Sequence, residues 1–573
     1  VKSVDHNGTQ QNYKGYDEEE EGSKDYNKLS TFAIFLFPAC GGLLFGYDIG
    51  ATSAVIPQLC DEDYSGVKWH QMVDDSAFLQ GAITSSELIG AMLGCMICFK
   101  VADDLGRRRG LILASVLFFI GSIIEYISGD PSWTATTGIA VLITGRIIYG
   151  FGCGFAMHGA PAYIGEMAPS QIRGMLVSLK EAFIVLGIVL GYSIGYANSK
   201  TEGGWRDTYV VSSGFAVIMG VGMYYLPYSC RWLALKGRVE EAKQSMKFVT
   251  PSPPTSEIVA IEELAEKAST YIVNSSLAED YAMLSSPTVY PAMLAGVGLV
   301  VLQQITGQPS VLYYADTIFQ DIGIDAVASI GISIFKLLAT LLATVYVDKY
   351  GRKLLLYWGC SLMLVALIIL GTAFLFPYTS AADCNDNTTQ ADCPSTCDWT
   401  SSCGIECSGT DDDCTCCDAT GINAQKATIL TALFIYIGGY QVGFGPISWL
   451  LISEIFPLKV RGKAVSIAVV TNFFFNAVMA FLFPVELETI GSAGTFYLYG
   501  AILVCGILYI YRYVPETKGF TLEEIEEYFL KISLGQGARR GEGANEEIQP
   551  LTTSSLHGGG GGGVSGSKLA PLI

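Results

Sequence analysis

Residues 166–174 read Glu-Met-Ala-Pro-Ser-Gln-Ile-Arg-Gly, and residues 454–462 read Glu-Ile-Phe-Pro-Leu-Lys-Val-Arg-Gly. Glu166, Pro169, Arg173 and Gly174 therefore recur as Glu454, Pro457, Arg461 and Gly462 at one internal spacing. A second pair accompanies them: Asp103-Asp104-Leu105-Gly106-Arg107-Arg108 and Asp348-Lys349-Tyr350-Gly351-Arg352-Lys353. Each copy lies at the end of a long apolar run. The chain reads as two related halves.

Half of the 573 residues are hydrophobic and only 15% are charged, against about 25% in a soluble chain. Apolar runs of roughly 20 residues recur, each long enough to cross a ~30 Å hydrocarbon layer. Twelve are found, centred near residues 43, 88, 118, 147, 186, 217, 302, 337, 365, 438, 474 and 503. At that depth the backbone must satisfy its own hydrogen bonds, so the runs are helices. The fold class is all-α membrane, with two six-helix halves. Such duplicated bundles are the arrangement of secondary transporters, with substrate held where the halves meet. No metal-ligand, nucleotide-binding or nucleophile constellation is present, so neither an enzyme nor a cofactor or nucleic-acid partner is expected.

Basic residues sit in the loops after even-numbered helices, among them Arg107 to Arg109, Arg173, Arg231, Arg352 and Arg461. The loop after the first helix is acidic. Basic loops stay cytosolic, so both termini are expected in the cytosol. Residues 1–30 are a polar N-terminal segment and 31–228 the first six helices. Residues 229–288 are a cytosolic helical linker, 289–514 the second six helices and 515–573 a cytosolic tail. The stretch Val239 to Val249 within the linker has helical periodicity.

The two halves differ in length. Positions 103 to 166 span 63 residues, whereas 348 to 454 span 106. The surplus is a non-cytosolic loop, residues 378–426. It holds Cys384, Cys393, Cys397, Cys403, Cys407, Cys414, Cys416 and Cys417. Eight cysteines on an oxidising side read as up to four disulfides; the rival reading, a cysteine-rich metal site, is disfavoured there. Asn387-Thr388-Thr389 is a glycosylation sequon on the same face.

Ionisable residues inside membrane helices are costly, so each is a functional candidate. Asp48 in helix 1 and Arg146 in helix 4 are expected to neutralise one another, as a proton-coupling pair or as a structural one. Adjacent Gln303 and Gln304 in helix 7 offer paired donors and acceptors suited to a polyhydroxylated ligand. Tyr313 and Tyr314 follow them. Gly443-x-Gly445-Pro446-x-x-Trp449 in helix 10 suits a hinge below an aromatic lid. Asn472 and Asn476 share a face of helix 11. Glu87 in helix 2 is expected only to hydrogen-bond a neighbouring helix. The spacing Gly150-x-Gly152-x-Gly154 follows no strand and reads as close helix packing.

With these residues in place the chain resembles a sugar porter of the major facilitator superfamily over residues 31–526. The likeness rests on Gly106-Arg107-Arg108, Glu166 to Gly174, Gly204-Trp205-Arg206, Gln303-Gln304, Gly351-Arg352-Lys353, Glu454 to Gly462 and Pro515-Glu516-Thr517-Lys518-Gly519. Residues 303–314 and Ser178-Leu179-Lys180-Glu181 resemble in particular the plant vacuolar glucose transporter and D-xylose–proton symporter-like branch. The resemblance implies a proton-coupled monosaccharide transporter working by alternating access, with the proton as co-substrate. It implies sugar contacts at Gln303, Gln304, Tyr313, Trp449 and Asn472, and coupling at Asp48 with Arg146 as its partner. It also implies a cytosolic charge lattice of Arg107, Arg108, Glu166, Arg173, Arg352, Glu454 and Arg461 that holds the outward-open state.

The chain departs from the family pattern at Glu181, Lys336, Pro309 and Phe473, and in Pro227-Tyr228-Ser229-Cys230-Arg231. Glu181 and Lys336 lie roughly 12 and 18 Å from the cytosolic helix ends at 1.5 Å per residue. They are expected to approach across the halves, as an ion pair or bracketing sugar hydroxyls. The alternatives are a passive facilitator, an inositol carrier or a non-transporting sugar receptor. A monomer in the plasma membrane is expected rather than one in the vacuolar membrane.

Overall fold

The computed structural model describes residues 26–169, 172–270, 286, 289–321, 324–375, 381–384, 414–417, 419–457, 460–518, 520 and 522–533. The first half consists of α1 (Lys28–Cys60), α2 (Ala77–Leu105), α3 (Arg107–Ile127), α4 (Ala135–Met167), α5 (Arg173–Asn198) and α6 (Gly204–Tyr225). Capping residues set several starts. The Asn27 side chain accepts from the amides of Leu29 and Ser30 at 3.0 and 3.2 Å, and Ser76 and Thr134 act likewise at α2 and α4.

The second half has more broken helices. Here α7 runs Tyr290–Ile305 and resumes as Gln308–Tyr313, while α8 (Val327–Tyr350) and α9 (Arg352–Leu375) are continuous. Next, α10 runs Ala419–Val442 and resumes as Phe444–Ile455. The last helix, Arg461–Tyr513, has 53 residues and is interrupted at Gly491, where φ is 71°. At 1.5 Å per residue it would reach about 80 Å, more than twice the ~30 Å hydrocarbon thickness. It is two crossings, α11 (461–490) and α12 (492–513). Eleven helices are long and apolar enough to span a membrane, so the described residues make twelve crossings.

Exterior faces carry exposed apolar side chains, such as Val217 and Ile218 on α6, Leu342 on α8 and Leu508 on α12. That surface suits lipid. Inside, α4 packs between α2 and α3. A Cβ added at Gly150 would lie 2.0 Å from the Glu87 carbonyl oxygen, and one at Gly152 would lie 2.9 Å from that of Ala114. The glycine spacing is therefore a packing device. The halves meet where α1 touches α7, α2 touches α11, and α5 touches α8.

Three short helices follow α6: Cys230–Leu235, Val239–Lys247 and Thr255–Thr270. The second occupies the periodic stretch read from sequence. A further helix, Leu522–Ser533, was not anticipated. In the cysteine-rich loop β1 (Ala381–Cys384) pairs antiparallel with β2 (Cys414–Cys417), setting Cys384 opposite Cys414. Cys393, Cys397, Cys403, Cys407 and Asn387 lie outside the described residues.

Candidate functional site

Two buried polar groupings face the centre, one in each half. In the first half Asp48 and Arg146 form a two-pronged fork, Nη1 to Oδ1 at 3.1 Å and Nη2 to Oδ2 at 3.0 Å. Asp48 is 2% exposed and Arg146 not at all. The guanidinium also donates to the Ile83 carbonyl at 2.7 Å and to the Tyr209 hydroxyl at 2.8 Å. Thr52 donates to Asp48 at 3.4 Å and lies 3.3 Å from Tyr209. Fork geometry with every prong satisfied is what keeps a buried ion pair tolerable. Thr52 and Tyr209 were missed in the sequence, where nothing distinguishes them from packing residues.

The second grouping is neutral and incomplete. Gln303 donates Nε2 to the Phe444 carbonyl at 3.3 Å, and its Oε1 has no partner. Gln304 Oε1, Gln308 Nε2, the Tyr313 hydroxyl, Gln441 Oε1, Ser448 Oγ and Asn476 Oδ1 are likewise buried and unpartnered. Each such orphan costs about 1–3 kcal/mol, so the set is arranged for a partner rich in hydroxyls. Gln308 and Tyr313 follow a break in α7, and Ser448 follows one in α10. At Gly307 φ is 85°, and a Cβ there would meet the Tyr499 ring at 2.2 Å; only glycine lets α7 turn at that place. The break at Gly443 realigns the part of α10 carrying Ser448 and half-buried Trp449. Asn472 and Asn476 are both buried on α11. Gln308, Gln441 and Ser448 are additions to the residues expected from sequence.

Glu181 and Lys336 come into the same region, but among the described residues no ion pair joins them. Lys336 is 5% exposed, and its ammonium lies 5.9 Å from the Tyr440 ring centre. It interacts electrostatically with Glu181 at longer range. Tyr440 itself interacts with both Glu181 and Gln303. Glu87 interacts with the Cys153 side chain of the neighbouring α4, as expected of it.

The repeated motifs build two matching lattices. Arg107 meets Glu166 at 3.0 Å, and Arg352 meets Glu454 at 2.9 Å. Ser229 donates to Glu166, and Thr517 donates to Glu454 at 2.6 Å. Arg173 donates to the Ala168 carbonyl at 3.3 Å and Arg461 to that of Phe456 at 3.0 Å. Arg108 donates instead to the carbonyls of Met223 and Tyr224. Each of these contacts stays within its own half. Hydrogen bonds between the halves are found at the opposite end. There Tyr192 donates to the Leu312 carbonyl at 2.5 Å, the Asp316 amide to Ser53 at 3.1 Å, and Tyr314 to Thr84 at 2.9 Å. The centre is closed from the end remote from the motifs.

The chain matches the family model described as Sugar (and other) transporter over residues 34–389 and 408–529. It is 40% identical over 516 residues to D-xylose-proton symporter-like 2 of Arabidopsis thaliana, covering 88% of this chain and 92% of that one. It is 30% identical over 512 residues to the glucose transporter GlcP of Staphylococcus epidermidis, covering 89% and 99%. Among solved structures, the inward open conformation of the xylose transporter XylE from E. coli superimposes with a TM-score of 0.66 at 27% identity. It covers 87% of this chain and 99% of XylE.

Proposed function

Because the chain belongs to the Sugar (and other) transporter family, we propose that it carries a monosaccharide across a membrane together with a proton. The halves rock about a central site in alternating access. One observation carries this reading: orphaned amides and hydroxyls of α7, α10 and α11 lie across from a sealed carboxylate–guanidinium fork. Hydroxyl groups of a hexose or pentose would satisfy the first set. Protonation of Asp48 would release the second.

In this reading Gln303, Gln304, Tyr313, Asn472 and Asn476 hold the sugar, Trp449 covers it, and Glu181 and Lys336 bracket it. Asp48 and Arg146 couple the proton. With the motif end cytosolic, the conformer is inward-facing, and the two lattices would engage each other in the outward-facing state. We further propose a monomer in the plasma membrane. The register of Cys384 against Cys414 supports a disulfide-braced outer loop, with Asn387 as its glycosylation site.

Uptake into proteoliposomes tests the whole. Labelled glucose or xylose should accumulate when the outside is made acidic and should only equilibrate without a pH gradient. Equal uptake in both conditions would leave a passive facilitator, and none would leave a receptor.

A further inference from the structure

Asp316 belongs to the short helix Ala315–Asp321, which follows the outer part of α7 and lies past the membrane span Tyr290–Tyr313. Neither the sugar chamber nor the Asp48–Arg146 fork uses this acid, yet it is 2% exposed. Its carboxylate accepts from the Ser329 hydroxyl at the start of α8. Its amide donates to Ser53 Oγ of α1 at 3.1 Å. Among the described residues no cation forms an ion pair with it.

Part of the cover over Asp316 comes from the other half. Ser53 meets its amide, and Tyr192 of α5 donates to the Leu312 carbonyl, one turn earlier, at 2.5 Å. Tyr192 and Ser53 also share a side-chain hydrogen bond, so α1 and α5 act on this segment as one clasp. Of the side chains that face the acid, Ser53, Ser329 and Tyr192, only the phenol titrates, and a phenol carries no charge near neutral pH.

The clasp is also part of what closes the outer end. When the halves part there, Ser53 and Tyr192 withdraw with the first half and leave Asp316 to water, where an aspartic acid titrates near roughly 3.9. In the closed conformer burial pushes its carboxyl up to about 7, with the Ser329 hydroxyl opposing. A group that binds protons more tightly in the closed state favours that state in acid. The preference is complete below about pH 4 and is lost as pH rises through about 7.

We propose that Asp316 is a second proton site, a latch through which external pH sets the closure of the outer gate. The proposal rests on the alternating-access reading above. As the gate closes, a proton from the outer water bonds to the Asp316 carboxylate. As the gate reopens, that proton returns to the same water. It never crosses the membrane, so it shifts the balance of conformers without adding to the proton coupled at Asp48. External acid thereby favours the inward-facing state.

Spin labels carried on noncanonical side chains at Glu62 and Gln320 test this in the full-length protein in nanodiscs. Both positions are exposed, one after α1 and the other on the Asp316 helix, so their separation reports opening of the outer end. Asp48→Asn silences the fork's own titration and serves as the background. In it, acidification from about pH 8 to about pH 5 should raise the ratio of closed to open by about tenfold or more. Adding Asp316→Asn, whose amide stands in for the protonated acid, should hold the outer end closed and remove the pH dependence. Ser53→Ala should favour the open state at every pH yet keep the acid response, because it removes the clasp and not the titrating group. If glucose or xylose changes the separation but acid does not, or if the acid response survives Asp316→Asn undiminished, the latch is overturned. A separation fixed under sugar and acid alike refutes alternating access itself, and the latch falls with it.

Discussion

The two halves share a backbone plan but bury opposite kinds of polarity. In the first, a full charge pair is sealed by hydrogen bonds from three helices. In the second, neutral amides and hydroxyls are left with open valences. A buried ion pair with complete partners resists change until a proton removes one charge. Orphaned neutral groups instead invite a ligand, because each contact it makes relieves a standing cost. The difference teaches a division of labour: the first half stores the switch and the second supplies the grip.

The largest effect should come from breaking the switch on its cationic side. Arg146→Gln leaves Asp48 buried without its partner, and losing one member of such a pair costs about 3–5 kcal/mol. A marked drop in the melting temperature of the detergent-solubilised protein should follow. An unaltered melt would mean that water, not Arg146, keeps Asp48 content. Asp48→Asn is gentler on the fold because an amide fits the same space. It should abolish accumulation against a gradient while sugar exchange continues. Undiminished uphill transport in that variant would remove the fork from the coupling.

The grip should yield next. Gln303→Leu removes donor and acceptor together from the second half. A loss of about 1–3 kcal/mol corresponds to a sugar affinity reduced by roughly fivefold to 150-fold. Equilibrium binding of labelled sugar measures it directly. The contrast between halves would blur if Gln303→Leu altered the proton dependence of transport rather than sugar affinity.

Much of this architecture is visible in the chain itself, for physical reasons that also mark where reading fails. Arg107, Glu166, Arg352 and Glu454 stand out because charges at the ends of apolar runs contrast with their surroundings. Asp48 and Arg146 stand out because they interrupt such runs near the middle. Glu125 does not, since it lies two residues before the end of α3 and passes for a water-facing acid. Only its packing on Gly145 places it at depth. Gln308 and Ser448 escape notice because they follow the breaks at Gly307 and Gly443. A linear pattern cannot say which way a side chain points after a break. For Glu181 and Lys336 the depth along each helix is calculable, but the aromatic neighbour of Lys336, Tyr440, is not.

The smallest prediction concerns a place where the motif-end lattices differ. Ser229 and Thr517 play the same part toward Glu166 and Glu454, so Tyr228 and Glu516, which precede them, occupy equivalent positions. Glu516 caps α9, accepting from the amides of Arg352 and Lys353 at 3.0 Å each. The start of α3 has no side-chain cap. There the Tyr228 ring lies 4.6 Å from the Arg108 guanidinium carbon. A carboxylate at a helix N-terminus contributes about 0.5–2 kcal/mol, and a cation–π contact about 0.5–2 kcal/mol. Tyr228→Glu exchanges one for the other and should shift stability by under about 1 kcal/mol, whereas Glu516→Gln only weakens a cap and should lower it. Melting curves of the two variants decide the matter. A Tyr228→Glu protein much less stable than Glu516→Gln would show that the first half depends on stacking where the second depends on charge.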